Sequence, residues 1–152
     1  MNRGALAEQN FKNGCNCAQA VLLAFSDLTG LEEATAMKFA SSFGGGMGRL
    51  REVCGTVTGI FMVAGLLYGD EGVPSHENKR LHYERIQTLA ARFRERNGSI
   101  VCRELLSGVT KDTSANPEAR TPEYYKKRPC SQLCADAAEI LAQYIEENPP
   151  RK

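Results

Sequence analysis

The stretch Cys54 to Tyr68, CGTVTGIFMVAGLLY, and the glycine run Gly44-Gly45-Gly46-Met47-Gly48 ahead of it constrain the fold more than anything else in the chain. The stretch carries no charge and is apolar almost all round, so as a helix it belongs in the middle of a protein. It is too short to cross a bilayer. Gly55 and Gly59 lie one turn apart on the same face, each costing about 1 kcal/mol of helix propensity relative to Ala. That cost makes sense where something approaches the helix backbone closely. Cys54 stands at the helix entrance, where a thiolate feels unpaired amides and the positive end of the dipole.

The flanking segments read as helices that cover this centre. Residues 3 to 12 are weakly amphipathic, with Leu6 and Phe11 the main apolar groups. Asn16 with Gln19 forms a capping box, which puts Cys17 in a first turn, and Ala18, Val21, Leu22 and Phe25 follow as a core-facing stripe. Thr29 with Glu32 reads as a second box, starting a helix to about Phe43 with Ala36, Met37, Ala40 and Phe43 inward. Ser75 caps a long helix to Asn97 that is stopped by Gly98, its inner stripe being His82, Ile86, Leu89, Ala90 and Phe93. Ser99 can cap a short helix through Leu106, with Cys102 at its third position. Residues 107 to 129 hold Gly108, Pro117, Pro122 and Pro129 and read as a long irregular connection. Pro129 opens the last helix, with Leu133, Ala137, Ile140, Leu141 and Tyr144 inward, and 148 to 152 is a frayed tail. The expected fold is an all-α, single-domain bundle of five to seven helices around the glycine-containing central helix, with 1–152 as one domain.

A net charge of +1 over 152 residues offers no general field for nucleic acid or a membrane surface. The first residues, MNRGALAEQNFKNG, lack the apolar core of a signal peptide, so a cytoplasmic location is expected. In that setting six cysteines in a tryptophan-free chain point to metal binding, redox chemistry or simple burial before permanent disulfides.

Cys17, Cys54, Cys102 and Cys130 each fall in or near the first turn of an expected helix, where a thiol pKa is lowered. They lie tens of residues apart, so only the tertiary fold can gather them. The tight C-x2-C pairs of zinc ribbons and ferredoxin-type clusters are missing. Cys15-Asn16-Cys17 could chelate from a loop, or one of the two is a small buried residue; Cys130 and Cys134 could both touch one metal or, equally, Cys134 packs in the core. The glycine run either cradles an anion through its amides or makes a tight helix crossing that aims Cys54, the crossing being favoured. It does not fit a nucleotide loop. His76 and His82 share no helix face, and Tyr124 to Arg128 resembles a phosphate or partner contact but reads more readily as a solvated basic loop.

Taken in order, N-C-A-Q-A-V at Asn16 to Val21, F-G-G-G-M-G at Phe43 to Gly48, C-G-x-x-x-G at Cys54 to Gly59, a single Cys102 and a helix-opening Cys130 resemble the C_GCAxxG_C_C family of suspected redox-active proteins. The resemblance runs over about residues 14 to 144. Its four characteristic cysteines carry over onto Cys17, Cys54, Cys102 and Cys130; Cys15 and Cys134 are extras, and Thr56 stands where the family usually has Ala. It implies a helical protein with a redox or metal-cluster role and supplies no substrate.

The reading is therefore a thiol-based redox or metal-cluster protein in which these four cysteines converge, acting as catalytic thiols or as metal ligands. Gly45, Gly46, Gly48, Gly55 and Gly59 give backbone access for a cofactor. If a cluster is bound, iron–sulfur is favoured over zinc; if none is, one thiolate attacks and a neighbour resolves it, with Cys54 the expected attacker. The alternatives are a structural zinc module, or a helical partner of a transporter or larger oxidoreductase that docks through 107–129. No nucleic acid and no membrane insertion are expected, and a homodimer is the base-rate assembly.

Overall fold

Polar caps start several of the helices and left-handed glycines end others. Asn2, Asn16, Ser75 and Thr121 each accept a first-turn amide with the side chain, and Gly30 and Gly98 close helices at φ of 69° and 89°. The computed structural model describes residues 1–151. The elements in order are α1 (Arg3–Lys12), α2 (Cys17–Leu23), α3 (Ser26–Thr29), α4 (Glu33–Ala40), α5 (Gly44–Met47), α6 (Gly55–Tyr68), α7 (His76–Asn97), α8 (Cys102–Leu105), α9 (Pro122–Lys127) and α10 (Cys130–Glu147). In α5 the backbone is left-handed at Gly45 and Gly46, with φ of 68° and 71°, so it is a turn, and nine helices remain among the described residues.

The fold is all-α: among the described residues the only β-pairing is one antiparallel bridge, Val53 to Val101. Nine helices exceed the five to seven expected, because α3 is a single extra turn and α9 lies inside the stretch expected to be irregular. Pieces that short carry too few residues for a period of 3.6 to register. In α9, Thr121 caps and Pro122 occupies the first turn, where a missing amide hydrogen costs nothing.

The core lies where α2, α6, α7 and α10 meet. Val21, Val57, Ile60, Val63, Leu89, Phe93 and Leu141 are fully buried, each contributing about 1.5–3 kcal/mol relative to exposure. Helix α6 is buried over Gly55 to Ile60 and again at Val63 and Ala64, but Leu66 near its end is 47% exposed. Its central character therefore belongs to the first ten residues. There Gly59 lets α2 approach: a Cβ at Gly59 would stand 2.8 Å from the Cβ of Val21 and 3.2 Å from the carbonyl of Ala18.

Several local expectations are corrected. Thr29 is the last residue of α3 and not an N-cap; its hydroxyl accepts from the amide of Leu31, and Gly30 turns the chain before α4 begins without a side-chain cap. Helix α4 stops at Ala40, short of Phe43. Leu6 is 37% exposed, and α1 instead buries Gly4, Ala7 and Phe11. Cys102 is the first residue of α8, not the third, with Ser99 accepting from the Val101 amide and donating to Glu104. At the C-terminus, Tyr68 donates to the carbonyl of Asn148 at 2.7 Å, which ties the start of the expected tail; Lys152 lies outside the described residues. No described helix is long and apolar enough to cross a membrane.

Candidate functional site

Three local devices bring distant cysteines together. Asn16 accepts from the Gln19 amide at 2.8 Å while Gln19 accepts from the Asn16 amide at 2.9 Å, which fixes Cys17 as the first residue of α2. The Asn16 amide group also donates to the Ala40 carbonyl at 3.2 Å, tying that cap to the end of α4. Next, the chain from Arg51 to Cys54 runs antiparallel to Ile100–Arg103: the Cys54 amide donates to Ile100 at 2.8 Å, and the Cys102 amide to Glu52 at 2.6 Å. This pairing carries Cys54, the N-cap of α6, beside Cys102, the first residue of α8. Finally Pro129 starts α10, whose first residue is Cys130. All four cysteines therefore sit at helix starts, where amides are unpaired.

The glycine run closes the wall between them. Gly45, Gly46, Met47, Gly48 and Arg49 are all left-handed, with φ between 62° and 71°, and Arg51 follows at 62°. At Met47, Arg49 and Arg51 this costs about 1–2 kcal/mol each, held by the amides of Arg51 and Glu52 donating to Gly45 and Gly46. Gly46 is buried against Cys102: a Cβ there would stand 2.5 Å from the Cys102 Cβ. At Gly55 a Cβ would stand 3.0 Å from the Cβ of Cys17.

These pieces enclose one cavity of about 310 Å³, lined by Cys17, Cys54, Cys102 and Cys130. Gly45, Gly46, Gly48 and Gly55 line it as well; Gly59 does not, being packed on Val21. Cys15 and Cys134 are also absent from the wall, and Cys134 is fully buried in the core one turn beyond Cys130. All six cysteines are free thiols.

The four thiols are not equivalent. Cys17 is partly buried, and its pKa is lowered to about 6, chiefly by the polar Cys130 thiol beside it. Burial opposes this, while the Gly45 amide, the Arg120 charge and its own amide assist. Cys130 is the mirror image: its interaction with Cys17 pushes its own pKa far up, and burial adds to that. Cys54 is raised to about 12 by burial and then by the neighbouring Cys17 charge, against a 3.1 Å hydrogen bond with Thr56 Oγ1. The helix start expected to activate Cys54 is outweighed by the loss of water around it. Cys102 is likewise raised by burial, in spite of Arg51 Nη1 at 3.7 Å from its sulfur.

Sequence reasoning missed the charged part of the wall. Arg49, Arg51, Arg120 and Arg128 line the cavity, with Glu118 the one carboxylate among the lining residues. Arg128 is buried and pairs with Glu118, Arg49 pairs with Asp112 at 3.1 Å, and Arg120 donates to the carbonyls of Phe11 and Cys15. Tyr124 lines the cavity beneath the guanidinium groups of Arg120 and Arg128, at 5.2 and 5.0 Å. The sequence offers Tyr124 and Arg128 as a phosphate or partner contact or a solvated loop, without placing them beside the cysteines. Arg128 directly precedes the helix-opening Pro129-Cys130, a signal that could have found it; Arg51 carries none, since its left-handed backbone has no mark in the sequence.

A single ion shared by three or more donors does not fit this arrangement. Among the described residues no group of three His, Cys, Asp or Glu side chains is gathered closely enough to hold a metal. The sulfurs instead fall into a close Cys17–Cys130 pair, with Cys54 and Cys102 each tied to a polar neighbour of its own.

Fold and site together define a class: an all-α chain that gathers four helix-start thiols around one arginine-lined cavity. The chain belongs to the family described as "Putative redox-active protein (C_GCAxxG_C_C)", whose model matches residues 15–144. No curated protein and no solved structure matches it.

Proposed function

We propose that the protein is a dithiol–disulfide redox protein in which Cys17 attacks and Cys130 resolves. The observation that carries this reading is that Cys17 and Cys130, each opening a helix, line the same cavity, where the neighbouring Cys130 thiol lowers the Cys17 pKa to about 6. The Cys17 thiolate attacks one sulfur of a substrate disulfide; a Cys17–substrate S–S bond forms, the substrate S–S bond breaks, and the departing thiolate takes a proton from water. With Cys17 no longer an anion, the chief cause of the raised Cys130 pKa disappears. Cys130 then loses its proton to water and attacks the Cys17 sulfur, releasing the second substrate thiolate. Two electrons pass from the protein dithiol to the substrate disulfide.

The test is to treat reduced protein with a small aromatic disulfide and map the products by peptide mass spectrometry. A Cys17–Cys130 disulfide is expected from the wild type, a stable mixed disulfide at Cys17 from Cys130→Ser, and no fast reaction from Cys17→Ser. First adducts at Cys54 or Cys102 would overturn the assignment.

A metal-cluster role is the second reading, favoured by one observation, the presence of four sulfurs on one wall. It requires the cysteines to close up, because no three donors now stand within one ion's reach. Metal analysis and a visible spectrum of anaerobically purified protein separate the two: stoichiometric iron or zinc bound through these thiols supports the second.

A further inference from the structure

Arg51 is 3% exposed, so its guanidinium has left water, and a buried charge is retained only where it is paired. Its Nε donates to the carbonyl of Asp112 at 2.9 Å and its Nη1 faces the Cys102 sulfur at 3.7 Å. Its Nη2 has no hydrogen-bond partner and no contact with solvent. The other arginines of the wall are provided for. Arg128 has Glu118, Arg49 has Asp112, and Arg120 is exposed. Among the described residues no carboxylate lies within salt-bridge distance of Arg51.

A buried guanidinium with an unused N–H, on the wall of a cavity of about 310 Å³, is short of one anion. A planar carboxylate or a tetrahedral oxyanion matches the guanidinium fork. The volume admits a small molecule that carries such a group, and the Nε hydrogen bond to the Asp112 carbonyl holds the fork in place.

We propose that the cavity is an anion-binding site in which Arg51 receives the oxyanion group of a small acidic ligand beside Cys102. Bound there, an acidic disulfide would face the Cys17–Cys130 pair across the same cavity. This deepens the dithiol reading and rests on it for the ligand being a substrate. The binding itself requires no reactive thiol.

The test is therefore run on Cys17→Ser protein, where exchange chemistry is removed. Inorganic phosphate and acetate are titrated separately by calorimetry at constant ionic strength, with chloride as the balancing salt. Saturable one-site binding of at least one of them is expected, phosphate marking a tetrahedral group and acetate a carboxylate. Arg51→Gln is expected to weaken it at least about tenfold, the loss for one charge-assisted hydrogen bond, and Arg51→Lys to recover part of it. Absence of saturable binding by both anions overturns the proposal, as does equal affinity in folded Arg51→Gln. Should Arg51→Gln fail to fold, the guanidinium NMR signals of Arg51 in the parent decide: they shift on titration if the site is real and stay fixed if it is not. Failure here leaves the disulfide mapping of Cys17 and Cys130 untouched, and the reverse also holds.

Discussion

Cys17 opens α2 and Cys130 opens α10, and the two line one cavity although most of the chain separates them in sequence. The pair splits its acidities: the first thiol drops to about 6, and the second rises far above the ordinary range. Alkylation should therefore be ordered. Cys17 is expected to react first with iodoacetamide, its rate following a single ionisation near pH 6, while Cys54 and Cys134 react only on unfolding. Cys130→Ala removes the donor and should move the midpoint up toward the free-thiol value of about 8.5; Cys130→Ser keeps a donor and should move it less. Rates at each pH, read by mass spectrometry, decide. An unchanged midpoint in Cys130→Ala would show that the two sulfurs are independent.

The same split predicts how stability varies with pH. Cys17 has a depressed folded-state pKa, so between about 6 and the unfolded thiol value of about 8.5 the unfolded chain binds more protons, and stability rises with pH across that window. Cys54, Cys102, Cys130 and Cys134 are shifted the other way, as are Tyr68 and Tyr124, both pushed to about 12. The stability held by the raised thiols is whole below about 8.5 and is lost as pH climbs toward 12. Denaturant unfolding in reductant should peak near pH 8–9. Cys17→Ser should flatten the limb between 6 and 8.5 and leave the alkaline loss in place. A wild-type profile already flat over that limb would contradict the depressed Cys17.

What the sequence disclosed was what short-range chemistry determines. Asn16 and Gln19 announce their capping box because both partners lie within one turn, and Ala18, Val21, Leu22 and Phe25 announce a buried stripe because the period belongs to the helix itself. Gly59 was legible as a site of close approach, though the approaching group proved to be Val21 and not a cofactor. The relative acidity of Cys54 and Cys17 was not legible. Both stand at helix starts, and the difference comes from burial and from Cys130, which only the tertiary fold supplies. Thr29 satisfied the letter of a capping box, yet Gly30 reversed the chain first.

The glycine run separates two costs that are usually confounded. Gly46 and Gly48 are both left-handed, at φ of 71° and 62°. Alanine at Gly48 meets nothing nearer than the Ser42 carbonyl at 3.5 Å, so only the backbone cost of about 1–2 kcal/mol is expected. Alanine at Gly46 would also run into the Cys102 Cβ and the Arg51 and Glu52 backbone, all within 2.9 Å, adding about 1–3 kcal/mol of overpacking. Denaturation midpoints should therefore rank wild type, Gly48→Ala, Gly46→Ala, and the last should also change the alkylation rate of Cys102. Equal midpoints for the two variants would mean that the contact with Cys102 is absent in solution.

Asn16 offers a way to disturb Cys17 without touching a sulfur. Its side chain accepts the Gln19 amide and donates to the Ala40 carbonyl, so it ties the start of α2 to the end of α4. Asn16→Ala should cost about 0.5–2 kcal/mol for the cap alone. It should also raise the Cys17 pKa, because the first turn that presents Cys17 to the Gly45 amide and to Cys130 loses its anchor. Asn16→Asp restores the cap acceptor but not the donor to Ala40, so it should recover part of the stability. However, it places a carboxylate beside Cys17, and like charge disfavours a thiolate, so the alkylation midpoint should remain high. Stability and thiol acidity thus part company in the aspartate variant. A purely structural role for Asn16 would instead return both together, and measuring the denaturation midpoint and the iodoacetamide rate profile on the same preparations distinguishes the two.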